Sequence, residues 1–318
     1  MTELAPVAAD LVRLADVADQ ARDYAAASRA ENTVRAYRRC WADFTAWCER
    51  HGLGALPAEP STVALYLAHL GGQRKASTIQ QRVSAISQAH KTAGYASPTQ
   101  DQGVRLVLAG IRRTHGTAQE GKAPVLTADV RTMVDALPAG AIGVRDRALL
   151  LLGFAAALRR SELVGLDVGD VQETTDGLVV RIRKSKTDQE GAGRLVGVPY
   201  GSAPATCPVR ALRAWLALRC DVDPALFRHV DRHGKQHGRL TDKAVARIVK
   251  RAAARVGIDP ATVAGHSLRA GLATSAAAAN VPERVIALQT GHKSMIVLRR
   301  YIREGSLFRE NAAARVGL

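Results

Sequence analysis

The chain has 318 residues, of which 45 are Lys or Arg and 29 are Asp or Glu, so its formal net charge is +16. This basic excess favours a polyanionic partner over an acidic or neutral one. The sequence has no run of 18 apolar residues and no basic-then-apolar leader pattern, which argues against a membrane or secreted protein and favours a cytoplasmic one.

The first third of the chain predicts an arm followed by a small helical domain. Residues 1–30 are rich in alanine and slightly acidic, which is typical of a loosely held arm with one helix. Four helical patterns follow over residues 31–113, with apolar residues at three- and four-residue steps. Cys40 and Cys48 lie eight residues apart in the first pattern, a spacing that favours reduced core thiols over zinc ligands.

A change in composition predicts a domain boundary. Residues 114–123 are rich in Gly, Thr and charge and lack periodicity, which indicates a linker. Up to residue 121 the chain has 14 basic and 11 acidic residues, whereas the remainder has 31 and 18. Most of the basic excess therefore belongs to the second domain, which we place at residues 124–303, with a tail at 304–318.

The second domain is predicted to be mainly helical with one small antiparallel sheet. Thr127 is expected to cap its first helix, and "VRDRALLLLGFAAALRRSELVGL" predicts a single apolar helix. In "GLVVRIR", the apolar residues Leu178, Val180 and Ile182 alternate with their neighbours, which predicts a strand. "RLVGVP" predicts the next strand, and the remaining patterns are helical.

Several polar residues of this domain indicate a catalytic site only when they are considered together. Singly, Arg159 with Glu162 fits a surface ion pair, Lys186 a loop lysine, and Tyr301 a core aromatic. Together with two histidines and a second arginine, they are the groups that phosphodiester transfer requires. Guanidinium groups bind phosphate oxygens bidentately, a tyrosine hydroxyl can attack phosphorus, and a lysine can protonate the departing oxygen. This chemistry needs no metal or other cofactor, and we expect none.

The motifs "LRRSEL", "SKT", "HSLR", "GHK" and "RYIR" occur here in the order and spacing of the tyrosine recombinase (phage integrase) family, which the chain resembles over nearly its whole length. The resemblance implies DNA cleavage through a 3′-phosphotyrosyl intermediate, with positive charge placed on the phosphate by arginines, a lysine and two histidines. Ala157 replaces a glycine that many relatives carry, and we expect this change to be harmless. The implied roles are phosphate binding for Arg159, Arg269 and His292, proton transfer for His266, acid catalysis for Lys186, orientation for Glu162 and nucleophilic attack for Tyr301.

The resemblance also implies how DNA is held. A SAM-like, core-binding N-terminal domain and the catalytic domain would form a C-shaped clamp on a duplex with inverted-repeat half-sites. Four protomers would form the synapse, and the apolar side of the tail, with Leu307 and Phe308, could pack into a neighbouring protomer. The residues expected to face the DNA grooves are Thr33, Arg35, Arg38, Gln80, Gln81, Arg82 and Lys243.

Two other functions stay open from the sequence. A type IB topoisomerase shares the same chemistry but would relax supercoils at loosely defined sites. A DNA-binding regulator without strand transfer could use the same charge, although it would not need the full catalytic set. A metal-dependent nuclease is disfavoured, because it would need clustered carboxylates that the sequence lacks.

Overall fold

The computed structural model describes residues 14, 16–24, 30–117, 121–183, 185, 191, 193–219, 224–292, 294–306 and 316. The chain separates into two compact units, Met1–Glu120 and Gly121–Leu318. Within the described residues, no helix combines the length and the apolar character needed to cross a lipid bilayer.

The first unit is an all-helical bundle, and residues 16–24 before it are also helical. Pro60 starts one helix with its fixed φ, and the Asp101 side chain caps another by accepting the Gly103 N–H at 2.7 Å. Phe44 and Ile79 are fully buried in its core, and Cys48 is a buried free thiol, as predicted. The helices are α1 (Glu31–Arg50), α2 (Pro60–Leu70), α3 (Ala76–Thr92) and α4 (Gln102–His115).

The second unit combines eight helices with two small sheets in its described part. Its core is formed by leucines and valines of the long apolar helix together with the buried face of the larger sheet. The helices are α5 (Thr127–Asp135), α6 (Ala141–Ala155), α7 (Arg160–Gly165), α8 (Pro208–Leu218), α9 (Asp242–Arg255), α10 (Ser267–Ala278), α11 (Glu283–Thr290) and α12 (Met295–Ser306). The strands are β1 (Val171–Glu173), β2 (Gly177–Ile182), β3 (Arg194–Pro199), β4 (Arg228–Val230) and β5 (Gln236–Arg239).

The larger sheet is antiparallel with the order β1-β2-β3, and its alternation is the one predicted. Leu178 pairs with Val198 and Val180 with Val196, and all four side chains are buried. The second sheet, β4 with β5, was not predicted, and the expectation that this region is helical is wrong there. These two strands have three and four residues and few apolar side chains, so they leave no period-two signal.

The apolar segment expected to form one helix is broken into α6 and α7. The break runs through Ala157, which has φ 50°, in the left-handed region. An L residue in that conformation costs about 1–2 kcal/mol, so Ala157 carries a strain that a glycine at this position would avoid. Arg159 consequently lies just before α7 instead of sharing its face with Glu162.

Helix α10 packs closely against the start of the second unit because of one glycine. A Cβ on Gly271 would lie 1.7 Å from the Val125 backbone oxygen, so a larger residue is excluded. Val125 N donates to Ser267 O, and Ala123 N donates to Thr262 O, so the predicted linker 114–123 overlaps both the end of α4 and this paired segment. The cap of α5 is Leu126, one residue earlier than predicted.

Candidate active site

The break before α7 brings an arginine and a glutamate together. Glu162 Oε2 accepts the Arg159 backbone N–H at 2.9 Å, and Oε1 accepts Arg159 Nη1 at 2.5 Å. The Glu162 side chain is 1% exposed and the Arg159 side chain 16%. A buried carboxylate therefore holds Arg159 at two points, its backbone N–H and one end of its guanidinium. The orienting role of Glu162 stays a prediction.

Helix α10 supplies a second, deeply buried arginine. Arg269 is 1% exposed, and its Nη1 donates to the Ala157 backbone oxygen at 2.8 Å. Its Nε and Nη2 have no hydrogen-bond partner among the described residues. These two donors form one edge of the guanidinium plane, the edge that binds paired oxygens of a carboxylate or phosphate. A buried donor without a hydrogen-bond partner costs free energy in the folded protein. An anionic ligand would supply the missing acceptors, so this edge is arranged for an anion.

A third arginine, absent from the predicted set, completes the cluster. Arg194 begins β3, and its Nη2 lies 3.8 Å from Glu162 Oε2 and has no hydrogen-bond partner in the part of the chain that the structure describes. Its Nη1 donates to the Gln289 backbone oxygen at 3.2 Å. Gly291 makes room for it, since a Cβ there would lie 2.8 Å from Arg194 Nε. Arg194 thus shares the Glu162 carboxylate with Arg159.

The Gln289 side chain ties three segments of the site together. Its Nε2 donates to the Ala155 backbone oxygen at 2.8 Å and to the Gly197 backbone oxygen at 3.1 Å. The end of α6, strand β3 and helix α11 are therefore held in one arrangement. The arginines and His292 depend on these three segments for their positions.

The charges of the cluster do not balance. Within the residues that the structure describes, Arg159, Arg194 and Arg269 surround a single carboxylate, that of Glu162. Burial, followed by the charge of Arg159, lowers the pKa of Arg269 to about 10, so it stays protonated at neutral pH. Burial also lowers the pKa of Arg194. The free protein therefore holds a buried excess of positive charge, which an anion would neutralise.

The predicted nucleophile and proton acceptor are in direct contact. His266 Nε2 lies 2.9 Å from Tyr301 Oη, although the two residues are 35 positions apart in sequence. His266 precedes α10 and is exposed, whereas the Tyr301 ring packs on a small core formed with Ala273 and Ile286. The tyrosine hydroxyl is thus placed by packing and has a base within hydrogen-bond distance.

His292 follows α11 and joins the same group. Its ring centre lies 6.0 Å from that of Tyr301, and its Nδ1 lies 2.7 Å from Thr290 Oγ1. Burial, then the charges of Arg269 and Arg159, lower the pKa of His292 to about 4. The ring is therefore neutral in the free protein at pH 7. The expectation that both histidines present positive charge to the phosphate concerns the DNA complex and stays a prediction.

Other residues predicted for the active site or for DNA contact lie away from this cluster or outside the residues that the structure describes. Lys186 and the tail residues Leu307, Phe308 and Ala312 lie outside the described residues. The solvent-exposed members of the DNA-facing set are Thr33, Arg35, Arg38, Gln81 and Lys243.

Arg82 does not fit the groove-facing position predicted for it. It is 9% exposed, and its Nη1 donates to Asp43 Oδ2 at 2.7 Å and to Tyr66 Oη at 3.0 Å. Gln80 is half-buried and accepts a hydrogen bond from Arg112. Arg82 therefore stabilises the first unit from within, where its loss would leave Asp43 unpaired.

Replacing Arg194 with Ala is expected to slow DNA cleavage at saturating DNA by up to about 10²-fold, the loss typical of a misplaced catalytic group. Glu162, the carboxylate that holds Arg159, would lose one of its two neighbouring cations. Arg181 on β2 is a matched control, because it is an exposed arginine next to Ile182, the residue that pairs with Arg194, and therefore lies on the opposite face of the sheet. Equal single-turnover rates for Arg194→Ala and Arg181→Ala would show that Arg194 does not position the site.

Comparison with protein families gives two matches along the chain. The phage integrase family matches residues 125–306, and the phage integrase N-terminal SAM-like domain matches residues 23–94. An integrase/recombinase XerD homolog of Selenomonas ruminantium is 40% identical over 294 residues, covering 91% of this chain and 86% of that protein. Recombinase Cre of Escherichia phage P1 is 26% identical over 287 residues, covering 83% and 81%.

Solved structures show the same fold at low sequence identity. A lambda integrase dimer bound to a COC′ core site has a TM-score of 0.59 and 15% identity, covering 97% of this chain and 83% of that one. The XerH site-specific recombinase bound to a palindromic difH substrate also has a TM-score of 0.59 and 15% identity, covering 80% and 72%.

Proposed function

Because the chain belongs to the phage integrase family, we propose that it is a site-specific DNA recombinase that cuts and rejoins strands through a covalent bond to Tyr301. The observation that carries this proposal is the buried, unpartnered edge of Arg269 beside the His266–Tyr301 hydrogen bond. An anion-binding edge and a tyrosine paired with a base are the two requirements for attack on a phosphodiester.

In the proposed reaction, Tyr301 Oη attacks the phosphorus while its proton passes to His266 Nε2. The bond from phosphorus to the 5′ oxygen breaks, and that oxygen leaves with a proton from Lys186. Arg159 and Arg269 donate to the non-bridging oxygens, whose negative charge is greatest in the transition state. The product is a 3′-phosphotyrosine and a free 5′ hydroxyl.

Rejoining reverses these steps with the 5′ hydroxyl of another strand. The phosphotyrosine bond stores the free energy of the broken phosphodiester, so the exchange uses no nucleotide. The arginines supply the positive charge that the reaction needs, and strand exchange is therefore expected to proceed in excess EDTA.

The two units have separate tasks in this proposal. We assign DNA binding near the exchange point to residues 31–113, catalysis to 124–303, and contact with a neighbouring protomer to the tail 304–318. Two-fold protein symmetry implies inverted-repeat half-sites, and paired sites imply a homotetramer. A cytoplasmic location is part of the same proposal, because the substrate is DNA.

The test is to incubate the full chain with the DNA that flanks its own gene and to map covalent protein–DNA junctions. The expected junction is a 3′ phosphate on Tyr301 at one position inside an inverted repeat. A junction at a 5′ end, or dependence of cleavage on a divalent ion, would contradict the mechanism. Relaxation of supercoiled DNA at scattered positions would instead indicate a topoisomerase, and binding without any junction would indicate a regulator.

DNA binding is expected to weaken steeply with salt, because each neutralised phosphate releases counterions. The slope of log K against log salt should be roughly −0.9 for each phosphate contacted. Replacing exposed Lys243 with Ala should reduce base preference at one position more than overall affinity. Fluorescence anisotropy over a salt series measures the slope, and the same assay with duplexes that differ at one base pair measures the preference. Affinity insensitive to salt would contradict a phosphate-binding surface.

A further inference from the structure

A buried threonine stands next to the histidine that follows α11. Thr290 is fully buried, and its Oγ1 lies 2.6 Å from the Ile286 backbone oxygen and 2.7 Å from His292 Nδ1. A hydroxyl group has one hydrogen to donate and two lone pairs that accept. The two short contacts therefore determine which atom carries each hydrogen.

The carbonyl group sets the direction of both bonds. Ile286 O carries no hydrogen, so a 2.6 Å contact between two oxygens is favourable only if Thr290 Oγ1 donates to it. The hydroxyl then offers only lone pairs to His292, and Nδ1 must carry the hydrogen of their 2.7 Å bond. Ala287 O, at 3.4 Å from Oγ1, is also an acceptor and leaves this result unchanged.

Only one nitrogen of a neutral imidazole carries hydrogen. The ring of His292 is neutral at pH 7, because burial and nearby arginines lower its pKa to about 4. With the hydrogen on Nδ1, Nε2 exposes a bare lone pair. The oxygens of a phosphodiester also present lone pairs, so this neutral tautomer has no hydrogen to donate to a phosphate.

We propose that Thr290 is a positioning residue that holds His292 as the Nδ1–H tautomer, so that His292 contacts the scissile phosphate only after Nε2 takes up a proton from solvent. This inference rests on the proposed function, since the phosphate is that of the DNA. The step converts imidazole and one proton into imidazolium, and no bond between heavy atoms changes. DNA binding at this site is therefore coupled to proton uptake.

The charges around His292 explain why an incoming phosphate triggers the protonation of Nε2. The one carboxylate of the cluster, Glu162, is already engaged by Arg159. An incoming phosphate supplies the missing negative charge and stabilises the imidazolium. Among the described residues, the ionisable groups that face His292 are Arg269 and His266 at α10, Arg159 before α7, Arg194 on β3 and Tyr301 on α12.

The first test needs no DNA. In the free full-length protein with 15N-labelled histidine, the imidazole chemical shifts distinguish a protonated nitrogen from a bare one. We expect His292 to show a protonated Nδ1 and a bare Nε2 at pH 7, and the same in Thr290→Ser, which keeps the hydroxyl. A bare Nδ1 in the unsubstituted protein would overturn the proposal whatever the protein does to DNA.

The second test measures proton uptake on binding the duplex mapped in the cleavage experiment. Calorimetry in buffers of different ionisation enthalpy gives the number of protons bound, with Tyr301→Phe added to prevent chemistry. Thr290→Val should lose an uptake of up to about one proton per protomer. Without the threonine hydroxyl, the neutral ring of His292 is free to carry its hydrogen on Nε2. Thr290→Ser should retain it.

Thr274→Val is the matched control. Thr274 is also a buried threonine, on α10, but its Oγ1 has no hydrogen-bond partner among the described residues. Its replacement should change neither the tautomer nor the uptake. Equal uptake in Thr290→Val and the unsubstituted protein would overturn the proposal. Failure of every variant to bind the duplex would instead refute the proposed function, and the tautomer measurement would still decide the role of Thr290.

Discussion

Replacing Tyr301 with Phe is expected to abolish covalent attachment to DNA, with a loss of roughly 10⁴-fold or more in cleavage rate, as for other nucleophiles. The substitution removes only the hydroxyl that lies 2.9 Å from His266 Nε2. The ring keeps its packing against Ala273 and Ile286, so folding and DNA binding should persist. Gel analysis of covalent complexes and a binding assay on the same protein measure the two properties separately.

Tyr200 provides the matched control for the nucleophile. It follows β3, and its hydroxyl donates to Glu173 Oε1 at 2.8 Å, a hydrogen bond that raises the pKa of the phenol. A phenol held in its protonated form is a poor nucleophile, so Tyr200→Phe should cleave at the rate of the unsubstituted protein. Covalent complexes that persist in Tyr301→Phe and vanish in Tyr200→Phe would reverse the assignment.

Replacing Arg269 with Met should slow cleavage by about 10³-fold, because a preorganised pair of donors to the transition state is lost. The same change should leave thermal stability unaltered or raise it. Arg269 is buried near two other arginines and has two unpartnered donors, so the free protein is destabilised by its charge. Single-turnover cleavage and thermal unfolding measure these two effects.

Arg145 is the control for the loss of a buried arginine. It is 3% exposed, and its Nε donates to Asp146 Oδ1 at 2.6 Å. Arg145→Met would remove the hydrogen-bonded partner of a buried carboxylate, leaving it only the Arg251 guanidinium at 3.8 Å, and should cost about 3–5 kcal/mol of stability. Cleavage by the folded fraction should be unchanged. If both variants lose stability alike and Arg269→Met still cleaves, Arg269 is structural.

The sequence predicted the helices of the first unit and strands β2 and β3, because each has a clear apolar period. It could not predict the break between α6 and α7, since the segment around Ala157 contains neither Gly nor Pro. That break moves Arg159 out of the helix and exposes the carbonyl that holds Arg269. The residues of the site were named by resemblance, but their contacts depend on this irregular turn.

Arg194 was missing from the predicted site and Arg82 was placed in the DNA-facing set, although the sequence contains a signal for the burial of both. Arg194 alternates with Val196 and Val198, so the period of two places it on the buried face of β3. Arg82 follows Ile79 by three residues and precedes Ile86 by four, which places it on the buried side of α3. The charge of an arginine alone suggests exposure to solvent, whereas the apolar periodicity around Arg194 and Arg82 predicts their burial.

The turn at Ala157 also determines the stage of folding at which the protein becomes able to cut DNA. Ala157 O holds Arg269, 112 positions away, and Ala155 O holds Gln289, 134 positions away. Contacts of such long sequence separation close large loops and form late in folding. During synthesis, α12 with Tyr301 emerges after every other described segment of the site, and it packs on α10 through the small core of Ala273 and Leu298. A partly folded chain therefore carries a tyrosine without its phosphate clamp, and the ability to cut DNA arises only in the finished fold.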